Sequence, residues 1–514
     1  MTRRVAHGRR RSLACTLATL SLGLTAMSVE AQTAPPGPQG PLVTLVNNAP
    51  PGTFNQLEIL SAYSNQASYN YLTANPNGST FCNPQQTAPT ASCPQAVFLV
   101  FDNLRELVQT ANELLQNGGP TFYSLHTNAA GLGFALRWVS GGNLSAPGSV
   151  ATQFANGQLS SIAARLEALR LGATGFVLSW LSPQQDGRPA LSFNTPVALG
   201  GGASADSGDA GIASRWGGFL NGAFGYGYRQ PSVLEDAFAF DSKDATLGVD
   251  YRVSRRLVLG ASASYTNQRV DFDSQRSVAG GGFRSRGYGL LLYGLVEWEG
   301  PYIDGSVGWQ RASVDESRLI VYPSFNISVP STDVTAHGST HTDSIIASLS
   351  GGWALTHGPF TTEPYLSIDY RHTNLAGFSE VSINNSGAGA GQPAGFDFLY
   401  APQRIHIVDS AVGLRLQAAI TPSFGVIVPY VRVEYHREFG ANDYTVASAY
   451  NAIASAGDQF AIPSDPADKH YGVLAGGFSL VLKHGVQGFA QFQTTTGMTY
   501  VTSRLISAGI RVEF

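Results

Sequence analysis

The C-terminal three hundred residues alternate between apolar and polar positions with a period of two. The final stretch, Tyr500 to Phe514, puts apolar side chains on one face and charged or small ones on the other; the apolar face is Ile506, Ala508, Ile510, Val512 and Phe514. Such alternation is typical of a β-strand that separates an apolar phase from a wet one. The stretch is therefore predicted to be a strand.

The same alternation recurs in pairs of segments around tight turns. These turns lie near Ser254–Arg256, Glu299–Pro301, Thr356–Pro359, Thr421–Ser423 and His484–Gly485. Each pair is predicted to be a hairpin. Together with a first strand beginning at Arg215 and the final strand, the pattern predicts about twelve strands.

Longer polar segments lie between the hairpins, so short and long connections alternate. The long ones are Gln230–Phe240, Asp271–Phe283, Glu316–Thr342, Asn374–Arg404 and Glu438–Lys469. Outer-membrane barrels have short periplasmic turns and longer outer loops, whereas nothing forces the loop lengths of a soluble sandwich to alternate. The pattern therefore favours a mainly β fold with a C-terminal membrane β-barrel of about 12 antiparallel strands over residues 212–514.

Aromatic residues near the strand ends support this interpretation. Tyr251, Trp298, Trp309 and Tyr435 stand where outward-facing apolar runs end. Tyrosine and tryptophan are enriched at membrane–water interfaces. These residues are expected to form interfacial belts.

The N-terminal third has helical rather than strand periodicity. Helices are predicted over Phe54–Tyr71, Ala96–Gln116, Leu125–Val139 and Gln158–Leu171. Residues 32–51 are rich in proline, glycine and alanine, and are predicted to be a mobile tail. The helical region of residues 32–198 is followed by a Gly/Ala/Ser/Asp linker over 199–211. The apolar helix stripes pack on one another or, alternatively, form a groove for a partner.

Composition agrees with a membrane barrel. Only 13% of residues are charged, against about 25% in soluble domains. Mean hydropathy is −0.02, and the chain after residue 31 has no apolar run of the roughly 20 residues that a spanning helix needs. The net charge of −4 and the lack of a basic stripe argue against nucleic-acid binding.

The first 31 residues are predicted to be a secretory signal. A basic head that ends in Arg9, Arg10 and Arg11 precedes the apolar segment Leu13–Leu24 and the small-residue site Val29–Ala31. The arginine pair before Ser12 also permits a twin-arginine signal. Either signal implies an exported protein.

Two cysteines, Cys82 and Cys93, remain once the signal is removed with Cys15. In an oxidising periplasm they are expected to form a disulfide that stabilises the local structure by roughly 2–3 kcal/mol. Two unpaired thiols are the alternative.

Residues 135–172 resemble the module that precedes the barrel in many bacterial autotransporters. That family has a Leu-Ser-Gly-Glu segment before a helix that ends in Arg-Leu-Arg; here Val139-Ser140-Gly141 is followed by Gly142. Residues 212–514 resemble the translocator of this type V secretion family, a twelve-stranded barrel that ends on an aromatic residue. The resemblance does not extend to autocleavage, because the Asn-Asn signature that some members have in the linker helix is absent there.

This resemblance implies partners and a location. The barrel would lie in outer-membrane lipid, after delivery by periplasmic chaperones and the barrel-assembly machinery. The assembly signal would be Phe514 with Val512 and Ile510, and a segment between Gln158 and Gly211 would occupy the pore. The N-terminal region would be a small passenger or passenger remnant that is exported to, or displayed at, the cell surface.

Charged residues at inward positions of the strands are candidates for the barrel interior. They are Asp250, Glu297, Asp304, Arg311, Asp369, Arg371, Arg415, Arg432, Glu434 and Arg511. Mixed signs in a wet lumen predict a salt-bridge lattice, and the alternative is the selectivity lining of an open pore. Separately, His337, His341 and Asp343 have a spacing that could hold a metal, although histidines in a Ser/Thr-rich loop are more often solvated.

The sequence contains no catalytic motif. Gly-x-Ser-x-Gly, His-Glu-x-x-His and phosphate-loop patterns are absent from it. We therefore expect no enzymatic activity and no cofactor. The predicted function is an outer-membrane translocator that exports or displays its N-terminal region; the alternative is a pore or structural outer-membrane protein whose N-terminal region stays in the periplasm.

Overall fold

Four α-helices lie among the described residues of the N-terminal part of the chain. They are α1 (Pro41–Asn48), α2 (Gln56–Thr73), α3 (Gln95–Leu115) and α4 (Ala129–Trp138). The computed structural model describes residues 38–73, 81–140, 177–179 and 216–512, the last range with gaps at 255, 273–279, 299, 423–424, 441–444, 457–459, 466–467, 483–485 and 503. Among the described helices, none is both long and apolar enough to cross a membrane.

Local sequence explains where these helices begin and end. Asn55 and Glu58 cap α2 reciprocally, since each backbone N–H donates to the other side chain at 2.9 Å. The predicted stripe of α3 is buried, and the helix ends at Gln116 with a left-handed φ of 52°. Asn128 caps α4 by accepting a hydrogen bond from the Gly131 N–H at 2.9 Å.

The prediction of a mobile tail over residues 32–51 is wrong where α1 forms. Pro41 is the first residue of this helix, a position that favours proline. Leu42, Val43, Leu45 and Val46 are buried. The Leu42 N–H, left without a partner inside the helix, donates to the Gln66 side chain of α2 at 2.9 Å. Burial of these four apolar side chains stabilises the helix, although the residues around it are rich in proline and glycine.

Nineteen strands are present among the described residues. Their bounds are β1 (Val177–Ser179), β2 (Trp216–Arg229), β3 (Phe238–Arg252), β4 (Leu257–Phe272), β5 (Gly280–Glu297), β6 (Pro301–Tyr322), β7 (Thr332–Trp353), β8 (Leu355–His357), β9 (Phe360–Leu375), β10 (Phe378–Asn384), β11 (Phe398–Tyr400), β12 (Gln403–Ala418), β13 (Gly425–Phe439), β14 (Thr445–Tyr450), β15 (Phe460–Pro463), β16 (His470–Leu482), β17 (Val486–Thr496), β18 (Val501–Thr502) and β19 (Arg504–Val512). The short 3-10 helices Gly387–Gly389 and Asn451–Ala456 lie in described connections.

Thirteen of the described strand segments form a curled antiparallel wall of twelve strands, with β18 and β19 counted as one. Their order is β2, β3, β4, β5, β6, β7, β9, β12, β13, β16, β17 and then β18 with β19, and β18 pairs back onto β2. This agrees with the predicted twelve-stranded barrel. The tight connections, such as the one between β3 and β4, share one end of the wall, here called the turn end; the long connections share the opposite loop end.

The first and last strands of the wall pair over a short span. β19 pairs with β17 from Val486↔Val512 to Thr494↔Arg504. Among the described residues, the last strand pairs with β2 through β18, at Val501↔Arg229 and Thr502↔Tyr228 at the loop end. Near the turn end, β2 pairs in parallel with β1 at Phe219–Asn221, so β1 satisfies that part of its edge.

Side chains alternate in exposure along the wall strands whose side chains are described. On β5, Tyr288, Leu290 and Leu292 are 55%, 59% and 63% exposed, whereas Leu291 and Tyr293 are 3% and 4% exposed. The outward apolar faces predicted from the sequence are found on β3, β4, β5, β6, β7, β9, β12, β13 and β16. An apolar outer surface of this kind is what lipid requires.

Several strands run beyond the apolar band. The outward apolar residues of β6 end at Trp309, yet the strand continues to Tyr322 and pairs with β7 from Thr332 onward. The prediction of a polar loop over residues 316–342 is therefore wrong for most of that segment. Outside the lipid an outward position need not be apolar, so the alternation disappears from the sequence while the backbone pairing continues.

Four predicted features lie outside the described residues. They are the signal over residues 1–31, the helix over 158–171, the linker over 199–211 and the terminal Phe514.

Candidate functional site

The barrel interior contains most of the charged residues predicted to line it. Seven of them are buried: Asp250, Asp304, Asp369, Arg371, Arg415, Arg432 and Glu434. Glu297 is half-buried. Arg511 lies on β19, but its side chain is outside the described part of the chain, as are those of Ile510 and Val512.

Arg311 does not face the interior, contrary to the prediction. The two-residue period puts it on the same face as Trp309, and its side chain is exposed. Its guanidinium lies 3.9 Å from Asp343 on the neighbouring strand β7. Arg311 belongs to the outer rim, just beyond the aromatic residue that ends the apolar band.

One interior network centres on Glu434 of β13. Arg432 donates to Glu434 at 3.1 Å and to the Gln493 side chain of β17 at 2.7 Å. The Tyr365 hydroxyl of β9 donates to the same Glu434 oxygen at 2.5 Å. Because the partners lie on three different strands, the network braces the wall from inside.

A second interior network links β6, β9 and β12. The Tyr302 hydroxyl donates to Glu363 at 2.9 Å, and Arg415 lies 3.6 Å from the other oxygen of that carboxylate. Farther round the barrel, the Tyr471 hydroxyl donates to Asp409 at 2.7 Å, and its ring stacks on His436 at 4.7 Å between centroids. Every buried charge in these networks has an opposite charge or a hydrogen-bond donor beside it, as burial requires.

Glycines make room for the interior tyrosines. Gly260 faces Tyr293 across β4 and β5, and Gly413 faces Tyr365 across β12 and β9. A Cβ at either glycine would lie 2.2 Å from the tyrosine ring. The rings therefore lie flat over backbone that has no side chain, which brings their hydroxyls to the interior carboxylates.

The helices pack on the loop end of the barrel. One apolar cluster joins α1, α2, α3 and α4 to Ile320, Tyr322, Val329, Val334 and Phe396. A second cluster joins α2 and α3 to Phe398, Tyr400, Val446, Tyr450 and Phe460. We call residues 38–140 the helical module. Both clusters place its apolar stripes against the long connections, and the alternative of an open partner groove is not what these contacts show.

Polar contacts fix the same interface. Asn326 donates to the Phe122 and Ser124 carbonyls at 2.8 and 2.7 Å. Tyr450 donates to Asn65 of α2 at 2.8 Å, and Arg137 of α4 is 2.8 Å from Asp236. The contacts come from several different long connections, so the module spans the opening of the barrel.

A buried charge cluster lies beside this interface, beyond the apolar band. Arg318 donates to both oxygens of Glu380, at 3.0 and 2.6 Å, and to the Phe396 carbonyl at 2.9 Å. Glu316 lies on the same face of β6, and both of its oxygens are buried without a hydrogen-bond partner among the described residues. Burial, with the nearby charge of Glu380, raises the pKa of Glu316 well above its usual range, although Arg318 opposes the shift.

The disulfide lies inside the helical module. Cys82 and Cys93 are joined by an S–S bond of 2.02 Å, and both are fully buried in the cluster around Phe98, Phe101 and Tyr450. It ties the segment between α2 and α3 to the face of the module that meets the barrel.

The two ends of the module–barrel connection lie at opposite ends of the wall. α4 finishes at Trp138, which packs at the loop end beside Leu319 and Ile320. β2 begins at Trp216, opposite Tyr251, at the turn end. The described chain therefore leaves the helical module at the loop end and enters the wall at the turn end.

A model of one protein family, described as the autotransporter beta-domain, matches residues 201–493. This match covers more than half of the chain. The chain belongs to the autotransporter family. Its barrel is an outer-membrane translocator, and passenger export is the standard role of this domain.

Solved structures similar to this autotransporter include three translocator domains, at low sequence identity. The translocator domain of NalP from Neisseria meningitidis is 12% identical with a TM-score of 0.43, and the match covers 59% of this chain and 90% of that one. The beta domain of Bordetella BrkA is 15% identical with a TM-score of 0.38, covering 59% and 100%. The transport unit of AIDA-I from Escherichia coli is 12% identical with a TM-score of 0.36, covering 60% and 94%. No curated protein sequence matches this chain.

Sequence reasoning missed the neutral partners of the autotransporter's interior charges. The alternation of the strands places Tyr302, Tyr365, Tyr471 and Gln493 at inward positions, but nothing in the sequence shows which charged side chain each one reaches.

The residues considered as a metal site lie on the outer face of β7, where His341 comes within 3.8 Å of Asp343. The described residues contain no group of three metal-ligating side chains. The matched family model describes a translocator rather than a catalytic domain.

Proposed function

We propose that this autotransporter displays its helical module at the cell surface as a cap on its own barrel. The observation that carries the proposal is the double apolar interface between the module and the long connections. Outer-membrane barrels keep their short turns in the periplasm and their long loops outside. A module docked on the loop end is therefore exposed at the cell surface, and the protein acts by display rather than by catalysis.

The barrel interior supports passage of the chain during export. Residues 141–215 must join the loop end to the turn end, and a polar backbone cannot cross the hydrocarbon outside the barrel wall. The interior is the remaining route, so we propose that part of the segment between Gln158 and Gly211 occupies it. The three residues of that segment which the structure describes, Val177–Ser179, join the wall beside β2. The charge networks then serve as a rigid lattice around the chain.

Epitope insertion on intact cells tests the display. A tag after Pro89, in the exposed part of the disulfide loop, is expected to bind antibody on intact cells. The matched control is a tag at Gly358, in an exposed turn at the other end of the barrel. That tag is expected to bind antibody only after the outer membrane is permeabilised.

Labelling of the Gly358 tag alone would place the module in the periplasm and overturn the display. That result would not affect the assignment of an outer-membrane barrel, which would then act as a pore or structural protein.

We further propose that the end of β19 is recognised by the barrel-assembly machinery after delivery by periplasmic chaperones. Ile510, Val512 and Phe514 share one face of the alternating terminal strand. Deleting Phe514 is expected to reduce the amount of heat-modifiable barrel in outer membranes, because the terminal strand loses its aromatic end. The control is Glu513→Gln, which keeps that face intact. Equal amounts of folded barrel from wild type and the deletion would refute this role.

A further inference from the structure

The outward faces of β9, β12, β13 and β16 carry basic side chains just beyond the apolar band. They are His372, Arg404, His406, Arg437 and His470, and we call them the basic patch. The four strands are neighbours in the wall. On β9 and β13 the patch begins two residues beyond Tyr370 and Tyr435, the outward aromatic residues that end the band. Such aromatic residues mark the level of lipid headgroups.

The members of the patch are held together across the strands. His372 faces His406 in the register of β9 and β12; their Nδ1 atoms are 3.0 Å apart and their rings stack at 4.2 Å. Arg437 faces His470 across β13 and β16, and its guanidinium lies 4.8 Å over the Phe439 ring. The Tyr435 hydroxyl is 2.7 Å from Nδ1 of His470. The patch is thus an ordered surface of donors with an aromatic lower edge.

Three other arginines of the same rim lie beside carboxylates. Arg269 lies 2.9 Å from Asp271 and Arg286 lies 3.1 Å from Asp315, both on outward faces. Arg311 is likewise beside Asp343. In the described part of the chain, none of the five patch residues forms a salt bridge with a carboxylate. Among the described residues, these three rim arginines therefore have carboxylate partners that Arg404 and Arg437 do not.

We infer that the basic patch binds the phosphate groups of phosphorylated lipid headgroups in the leaflet around the loop end. Arginine forks match phosphate oxygens and imidazoles add further donors. Basic side chains at headgroup level attract anionic lipids. The patch faces sideways into the headgroup layer, which suits a lipid-borne phosphate better than a free ion. This inference does not depend on display of the module, since the patch meets headgroups whichever way the barrel is inserted.

Lipid retention by the full-length protein tests this inference. The barrel is reconstituted in phosphatidylcholine vesicles that contain diphosphoryl lipid A, extracted and purified, and the bound lipid A is counted by native mass spectrometry. The wild type is expected to retain lipid A but not the same lipid stripped of its phosphates. The Arg404→Gln/Arg437→Gln variant is expected to retain about tenfold less.

The matched control is Arg269→Gln/Arg286→Gln, which removes two rim arginines that already have acidic partners. Its retention is expected to stay within about twofold of wild type. Equal losses in the two variants, or equal retention of the dephosphorylated lipid by the wild type, would overturn the inference. The wild-type comparison of the two lipids holds even if a variant fails to fold. Complete release of lipid A by inorganic phosphate at equal concentration would show recognition of the free ion and overturn the lipid assignment.

Discussion

Replacing Arg318 with methionine is expected to release the helical module from the barrel while the barrel itself stays folded. Arg318 neutralises Glu380, and its guanidinium also lies 4.7 Å over the Phe398 ring at the module interface. Without it, the buried Glu380 has no cation, and the neighbouring Glu316 is already without a partner among the described residues. Removing one partner of a buried ion pair costs about 3–5 kcal/mol.

Limited trypsin digestion of the folded protein in detergent measures this loss. Cleavage within residues 38–140 follows the population of the open form, so it is expected to accelerate roughly a hundredfold or more. The heat-modifiable mobility of the barrel on gels is expected to persist, because Arg318 lies beyond the apolar band.

Two further variants separate the buried pair from a general charge effect. Arg286→Met removes an exposed arginine that lies 3.1 Å from Asp315, and such surface pairs contribute about 0–1 kcal/mol. Arg318→Met/Glu380→Met removes both members of the buried ion pair, and it is expected to recover most of the protection because neither member is left buried without the charge that balanced it. If Arg318→Met were cleaved no faster than Arg286→Met, the buried pair would not hold the module.

The wall strands could be predicted because lipid constrains every second residue. Leu247, Leu290 and Leu414 are all exposed on the outer face, and only a hydrocarbon surrounding makes that pattern stable. The helices α2, α3 and α4 were predictable from their apolar stripes, while the short α1 was hidden by its proline-rich flanks. Arg311 was misassigned although its parity with Trp309 already placed it outside.

Contacts between distant parts of the chain could not be predicted. Arg318 and Glu380 are 62 residues apart, and Tyr450 and Asn65 are 385 apart. Beyond the lipid, the outward positions lose their apolar constraint, so the extensions of β6 and β7 looked like polar loops. The docking of the module on those extensions follows from tertiary packing that a single sequence does not reveal.

Replacing Gly413 with alanine is expected to destabilise the barrel far more than an ordinary strand substitution. A Cβ at Gly413 would lie 2.2 Å from the Tyr365 ring and 2.5 Å from its hydroxyl oxygen. Overpacking of this kind costs about 1–3 kcal/mol.

Displacing Tyr365 also breaks its hydrogen bond to Glu434, which joins β9 to β13. A hydrogen bond to a charged group contributes about 1.5–3 kcal/mol, so the two losses reinforce each other. The urea midpoint for loss of the folded barrel in detergent is expected to fall, together with the fraction that assembles in outer membranes.

Gly476→Ala is the matched control for this substitution. Gly476 also lies in a wall strand, β16, but the nearest atom to an added Cβ is the Tyr430 carbonyl oxygen at 3.7 Å, an ordinary contact. Its urea midpoint is expected to match wild type closely. The double variant Gly413→Ala/Tyr365→Leu removes the clash but does not restore the hydrogen bond. Its urea midpoint should therefore lie between those of wild type and Gly413→Ala. Matching midpoints for Gly413→Ala and Gly476→Ala would mean that the tyrosine ring relaxes freely, and the interior lattice would then be looser than its contacts imply.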